Sequence, residues 1–545
     1  MLKRFKYARK LNVWVFYAFF VALLILTPIL TIIWYVFEGP GETWQHLYET
    51  VLADYILNSL WLMIGTGVIS LVTGVSTAWI VSTCYFPGRR IFEWALVLPL
   101  AVPTYITAFA YAGLFDYTGS LQSFLRNTSW IEANIIIDIM NLPGLIFILS
   151  FVLYPYVYVL ARASFVKRSR NLLEAGRLLG SSSYRAFFKI TLPVARPALV
   201  GGVSLVIMEV LNDYGAVKYF GIGTFTTGIF RAWFSLGDIN AAVYISAILV
   251  IVVFLVLGIE RYQRGSARFD DDTQSGGKPI TRYELSKGQK IASFFICFFP
   301  LLFGFLLPLF QMIQWAYQAY SKIILDSFLG LIINSFALAA TSSLICIFVS
   351  IVLLYASRLN PGIFVKGLSK LSTTGYSIPG AVIAVGVMIP LLFLDRGLSS
   401  WLERIFNIEL RLILSGTLGV LVFAYMVRFL AVAYNAIDSG FKNTPENLTE
   451  ASRSLGVSTF QTLIKVNLPL LKGSILSGAL LVFVDVLKEL PLTLILRPFN
   501  FSTLATRTFE LAGDERIAES SGPALIIIAT GILPVVLLSK LVSKN

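Results

Sequence analysis

Apolar stretches of about 20 residues recur along the whole chain, separated by short polar turns, and each is long enough to cross a bilayer core of roughly 30 Å. Twelve are counted. They centre near Leu24, Val68, Pro103, Ser150, Leu205 and Val250, then near Gly304, Leu344, Ala384, Phe423, Leu480 and Ile532. A segment in lipid must satisfy its own backbone hydrogen bonds, so the pattern predicts helices. The alternating strand pattern of a membrane barrel is absent. The expected class is an all-α membrane protein of about twelve transmembrane helices. A mean hydropathy of +0.78 with 57% apolar residues excludes an ordinary soluble protein. The first run, Val13 to Phe37, is too long for a signal-peptide core and lacks a small-residue cleavage site, so it reads as an uncleaved helix.

One long polar stretch interrupts the pattern. Residues 263–287, rich in Gly, Ser, Asp and Lys, read as a flexible cytoplasmic linker after six spans. It separates a first half, 1–262, from a second, 288–545. The halves repeat each other. EAGRLLGSSSYRAFFKITLP at 174–193 returns as EASRSLGVSTFQTLIKVNLP at 450–469. Glu174, Gly180 and Pro193 recur as Glu450, Gly456 and Pro469, a constant step of 276 residues. The same step carries Asn58-Ser59 onto Asn334-Ser335 and Pro103 onto Pro379. A whole module is duplicated. Both halves enter from the same side, so the repeats are parallel and a pseudo-two-fold axis along the membrane normal is expected.

Charge sets the orientation. The opening MLKRFKYARK carries five Lys/Arg, and with twelve spans about 31 of the 43 Lys/Arg fall on that side. Both termini are therefore expected in the cytoplasm. The net charge of +13 reads as a topogenic signal dispersed over short loops, not as a nucleic-acid surface. Cys84, Cys297 and Cys346 lie in or beside spans without paired spacing, and the single histidine, His46, sits in a loop. No tight metal site, cofactor site or acid–base catalytic cluster is expected.

The repeated phrases fall in the longest loops of each half, 162–197 and 437–472, and parse as helix, turn, helix. Thr444 is expected to cap a helix that starts at Pro445, Gly456 to break it, and Ser458 to cap the next. In the first copy Gly180 makes the break and Ser182 or Ser183 the cap. Pro193 and Pro469 are expected to end the second helices. Leu178, Leu179, Phe187, Phe188 and Ile190 are spaced to build one apolar face. That face suits either packing on the bundle or docking of a partner.

The phrases resemble the EAA signature of membrane permeases of binding-protein-dependent ABC importers. That signature is Glu-Ala-Ala, three residues, Gly, then a fixed gap to Ile-x-Leu-Pro. Gly176 and Ser452 replace the third residue, and Val466 replaces Ile. The resemblance covers nearly the whole chain, as a fused double permease. It implies a bacterial inner-membrane subunit whose loops are coupling helices for ATP-binding subunits. Glu174, Ala175, Gly180, Leu192 and Pro193, with Glu450, Ala451, Gly456, Leu468 and Pro469, would carry that contact. It also implies an extracytoplasmic binding protein and alternating access. The chain has no GxxxxGK[ST] loop, so ATP and magnesium belong to partners, and two handles imply two ATP-binding subunits per chain. A gradient-driven secondary transporter is the rival of another class, but it has no use for paired docking loops.

A second matched feature concerns the cargo. Glu209 and Asp213 recur as Asp485 and Glu489, each pair spaced i, i+4 and so expected to face one side of its helix, before a breaker, Gly215 or Pro491. Carboxylates at membrane depth face a cavity or a partner. Four around a pseudo-two-fold axis would line a cation path by weak, multi-site contact. Lys488 offers a counter-ion in the second half, which keeps a purely structural role open, but Asn212 stands there in the first, so that half's carboxylates are expected to lack a local partner. Strings 213–233 and 485–516 look like those of ferric iron permeases. Fused permeases of this type also serve thiamine. Arg428 is a further charge within the tenth span, which either snorkels to a lipid interface or pairs with a carboxylate. Pro28, Pro99, Pro103, Pro155, Pro308, Pro379 and Pro390 are either hinges or simply tolerated.

Overall fold

The computed structural model describes residues 13–127, 137–178, 185, 187–264, 282–323, 326–360, 362–407 and 413–543. Among them ten helices are long and apolar enough to cross a membrane. Two more pairs qualify only across a bend: Arg89–Ala101 with Thr104–Asn127, at 91°, and Thr459–Leu470 with Lys472–Lys488, at 77°. Counting each bent pair once reaches the expected twelve.

The prolines divide into two groups. Pro28, Pro155 and Pro390 lie inside continuous helices, and Pro308 falls in the first turn of Leu307–Gln318. Pro103 and Pro379 mark true breaks. In each repeat a 3-10 turn, Leu98–Ala101 (which contains Pro99) or Thr374–Ser377, runs into an extended residue and then the proline. The proline holds φ −56° and ψ near 143° in both copies, and a new helix starts at Thr104 or Gly380. A proline disfavours helical backbone in the residue before it and lacks an N–H, so it separates two helices at little cost.

The chain packs as two compact units that differ from its two sequence halves. One gathers Met1–Pro40, Ala242–Ala247 and Asp326–Thr506; the other gathers Gly41–Ala241, Ile248–Leu325 and Arg507–Asn545. Each repeat gives its first helix to the unit built mainly from the other repeat. Within the second unit, Leu52–Thr83, Leu142–Leu178 and Leu192–Asn212 pack on one another. Ser70 Oγ donates to the Ser150 carbonyl at 3.2 Å between two of them. Within the first, Asp326–Leu359, Leu418–Lys442 and Lys472–Lys488 form the matching trio, and Ser350 Oγ reaches the Leu430 carbonyl at 3.5 Å.

The repeated Asn-Ser pair tethers each trio to the region after the fifth span. Asn58 Nδ2 donates to the Gly223 carbonyl at 3.0 Å, and Ser335 Oγ accepts from Leu504 N at 2.7 Å.

Asp238 fastens two loops of the second unit. Its carboxylate accepts from Ala241 N at 2.9 Å, capping Ile239–Arg264, and from Thr43 N and Oγ1 at 3.0 and 2.7 Å. Burial pushes its pKa up, but the donors outweigh burial and hold it below the ordinary value. A depressed carboxylate contributes fully above its unfolded pKa and loses that contribution as pH falls through the folded one. Asp238→Ala is expected to cost about 1–2 kcal/mol at neutral pH, the scale of a lost helix cap. Thermal unfolding of the purified protein checks this, and the gap between mutant and wild type should close in acid.

Candidate functional site

The four matched carboxylates occupy two kinds of position. Asp213 and Glu489 do not continue their helices. Leu192–Asn212 ends with Asp213 at φ −65°, ψ 128°, and Lys472–Lys488 ends with Glu489 at φ −70°, ψ 123°. The expectation that each pair shares one helix face is therefore corrected: the helix stops at the carboxylate, before Gly215 and Pro491. A short helix follows each stop, Gly215–Tyr219 or Pro491–Leu496. Restarting a helix in a membrane exposes orphan N–H groups in its first turn, and the carboxylate meets them. Asp213 accepts from Ala216 N at 2.9 Å and Val217 N at 3.2 Å, and Glu489 accepts from Leu492 N at 3.2 Å.

The two repeats then diverge in how the charge is held. In the second unit, Thr104 Oγ1 donates to Asp213, and Thr226 Oγ1 donates to the Asp213 carbonyl at 2.7 Å. In the first unit, Arg428 takes that role, its Nε 3.3 Å from Glu489 Oε2, an ion pair whose N–H is poorly aligned for a hydrogen bond. Arg428 and Glu489 are each 6% exposed. Gly380 stands where the first repeat has Thr104. A Cβ there would fall 2.7 Å from both Arg428 Nη1 and Glu489 Oε1, so any side chain would have to displace the ion pair. Thr493 Oγ1 donates to the Glu489 carbonyl at 2.8 Å and lies 2.5 Å from Tyr425 Oη. Arg428 thus has a partner, as one sequence expectation allowed.

Glu209 and Asp485 stay within their helices and are partly accessible. Tyr156 Oη donates to Glu209 at 3.4 Å, and Lys488 Nζ pairs with Asp485 at 2.9 Å. The view that the first repeat's carboxylates lack local partners is corrected, because tyrosine and threonine hydroxyls do the work assigned to a cation. Sequence reasoning also missed the aromatic wall around the first break. Tyr214 stacks on Phe230 at 3.6 Å and approaches Phe509 at 5.8 Å, while Phe109 meets Tyr219 at 4.5 Å. Phe509 comes from the other repeat, so spacing along the chain carries no signal for it.

The second repeated phrase folds largely as parsed. Glu446–Ser454 is a helix, Gly456 turns at φ +82°, and Ser458 Oγ accepts from Gln461 N at 3.3 Å to cap Thr459–Thr462. Thr444 is not the cap, since its hydroxyl donates back to the Gly440 carbonyl at 3.0 Å. Ser452 is buried against Thr462, Oγ to Oγ1 3.0 Å, which explains why a small residue suffices there. Tyr355 Oη donates to the Thr459 carbonyl at 2.6 Å and holds the loop to its unit. The matching residue of the first repeat, Trp79, instead packs on Phe187 at 4.8 Å. Glu450, Ala451 and Gly456 are exposed, with Leu448, Leu455, Phe460 and Ile464 exposed around them. Leu468 and Pro469 lie in the last turn before the 77° bend.

In the first copy a π-helical turn, Phe187–Thr191, passes directly into the α-helix Leu192–Asn212, whose first turn holds Pro193, so Pro193 does not end a helix. A proline in a first turn sacrifices no helical bond. Phe188 is exposed, and Phe187 and Ile190 are half-buried. Glu174 and Ala175 lie on the helix Leu142–Leu178, but their side chains, like that of Leu178, lie outside what is described. Leu179, Gly180, Ser182 and Ser183 lie outside the described residues.

The family described as binding-protein-dependent transport system inner membrane component matches this chain twice, at 70–263 and 347–544. The chain belongs to this family. It is a permease subunit of a binding-protein-dependent ABC importer, a multi-pass inner-membrane protein rather than an ATPase. Among relatives, the Fe(3+)-transport system permease protein FbpB 2 of Haemophilus influenzae is 24% identical over 514 residues, 93% of each chain. A probable sulfate permease, cysT of Chlorokybus atmophyticus, is 27% identical over 229 residues, 41% of this chain and 78% of the relative. The sulfate permease CysW of Escherichia coli is 28% identical over 167 residues, 30% of this chain and 55% of the relative.

Removing one partner of a buried ion pair strands the other, at about 3–5 kcal/mol. Glu489→Ala in this permease is expected to lose that much. Carrying the first repeat's arrangement across, as Gly380→Thr, Arg428→Val and Glu489→Asp together, should restore most of it. Thermal unfolding of both variants in one detergent is the comparison.

Proposed function

We propose that this permease carries ferric iron inward, taken from an extracytoplasmic binding protein and driven by two ATP-binding subunits docked on loops 162–197 and 437–472. The observation that carries the substrate is colinearity. The iron-transport relative aligns over nearly the whole fused chain, whereas the sulfate relatives align with less than half of it. A physical argument points the same way. Helix N-termini attract anions. Those of Gly215–Tyr219 and Pro491–Leu496 already hold the chain's own carboxylates, which disfavours an anionic cargo beside them.

The division of labour follows from engagement. Asp213 and Glu489 hold the breaks, while Glu209 and Asp485, partly accessible, contribute the path's negative charge. The exposed Leu455 and Phe460 flank Gly456 and supply apolar contact for the motor subunit. ATP closure of the motors would move the loops, and the loops would move the spans joined to them.

Uptake of labelled ferric iron, sulfate and thiamine, with and without this gene, tests the cargo. Loss of iron uptake alone is expected, and loss of either other solute instead removes the iron assignment. Glu209→Gln with Asp485→Asn should cut uptake about ten-fold, on the scale of one or two charge contacts, at unchanged membrane level. Leu455→Asp with Phe460→Asp should abolish ATP-driven uptake, and the intact complex should weigh two ATP-binding subunits per permease chain.

A further inference from the structure

An arginine cluster in the second unit stands apart from the transport machinery. The segment after the second span, Cys84–Tyr85, pairs in parallel with Tyr283–Glu284, where the linker returns to the bundle. This pairing delivers Arg282 beside the short helix Arg89–Ala95. Glu93 on that helix receives Arg89 at 3.2 Å and Arg162 of the fourth span. Arg89 also donates to the Val81 carbonyl at 3.2 Å, which fixes its side chain. The charges of Arg282, Arg162 and Arg90 all act on Arg89.

The balance is incomplete. Of the four guanidiniums only those of Arg89 and Arg162 pair with Glu93, and Glu284, the next acid along, is exposed and in no ion pair among the described residues. Arg90 and Arg282 are exposed and have no ion-pair partner among the described residues. Arg89 and Arg162 are packed on Glu93, while Arg90, next to Arg89 in the chain, and Arg282, at the edge of the strand pair, are exposed. Exposed Ile91, Trp94 and Tyr85 flank them, an apolar and aromatic fringe suited to a membrane interface. The second repeat has Val365, Lys366, Ser369 and Asp438 at the positions of Arg89, Arg90, Glu93 and Arg162. The cluster therefore belongs to one repeat only and is not part of the duplicated mechanism.

We propose that Arg89, Arg90, Arg162 and Arg282 form a site for the phosphate of an anionic lipid headgroup. Guanidinium forks match phosphate oxygens two at a time, and Glu93 holds two of the forks in place. The fringe residues point to a lipid as the carrier of that phosphate. By the charge-based orientation this is the cytoplasmic leaflet, where anionic lipid and basic residues attract at about 1 kcal/mol per charge. Occupancy would pin the linker's return to the bundle, independently of what the permease transports.

The test uses the full-length permease in neutral detergent, equilibrated with equal amounts of phosphatidylglycerol and phosphatidylcholine and read by native mass spectrometry. Wild type should retain phosphatidylglycerol preferentially. Arg90→Gln with Arg282→Gln, both exposed and outside the packed network, should reduce that preference about ten-fold. Lys366→Gln in the second repeat should leave it unchanged. An equal preference in wild type and double variant overturns the proposal. So does a wild type that shows no lipid preference yet is thermally stabilised by inorganic phosphate at fixed ionic strength, which would make free phosphate the ligand.

Discussion

Backbone polar groups within a membrane must find partners inside the protein, and everything distinctive in this permease follows from where it breaks a helix there. The fifth span of each repeat stops at a carboxylate and restarts as a short helix. Asp213 and Glu489 receive the N–H groups that the interruption exposes. The carboxylate must then itself be compensated, because a buried charge without a partner is costlier than the N–H groups it satisfies. One repeat compensates with a threonine hydroxyl and the other with an arginine. Duplication preserved the constraint and let the chemistry diverge.

That divergence makes the two halves unlike. Here one break is locked by a buried ion pair and the other by neutral donors, so the two fifth spans resist movement by different means. The accessible carboxylates, Glu209 and Asp485, are likewise held differently, one by a tyrosine and one by a lysine. The loop that carries the second repeated phrase is tied to its unit through Tyr355 and the Thr459 carbonyl, a direct hydrogen bond from span to loop.

The repeat is a unit of sequence, and the compact unit is a unit of packing. The first helix of each repeat joins the unit made mainly from the other. Phe509 illustrates the consequence, since it walls the first repeat's break although it lies far away in the chain. The linker's return illustrates it too, as its last residues form a strand pair that composition alone reads as flexible chain.

Twelve spans, two copies of one module, Gly456 at a left-handed turn and Ser458 as a cap were legible from the chain itself, because hydropathy, sequence repetition and local capping are written within short stretches. The alignment of the four carboxylates was legible as well, but their separate roles were not. Asp213 and Glu489 read as helix-face residues until the structure ended the helix at them, since the partners that make that end tolerable, Thr104 and Arg428, lie 109 and 61 residues away. Sequence by itself determined which segments enter the membrane and that they do so twice. Only the tertiary structure decided which charges are spent on holding the breaks and which remain accessible, because compensation of a buried charge depends on neighbours in space.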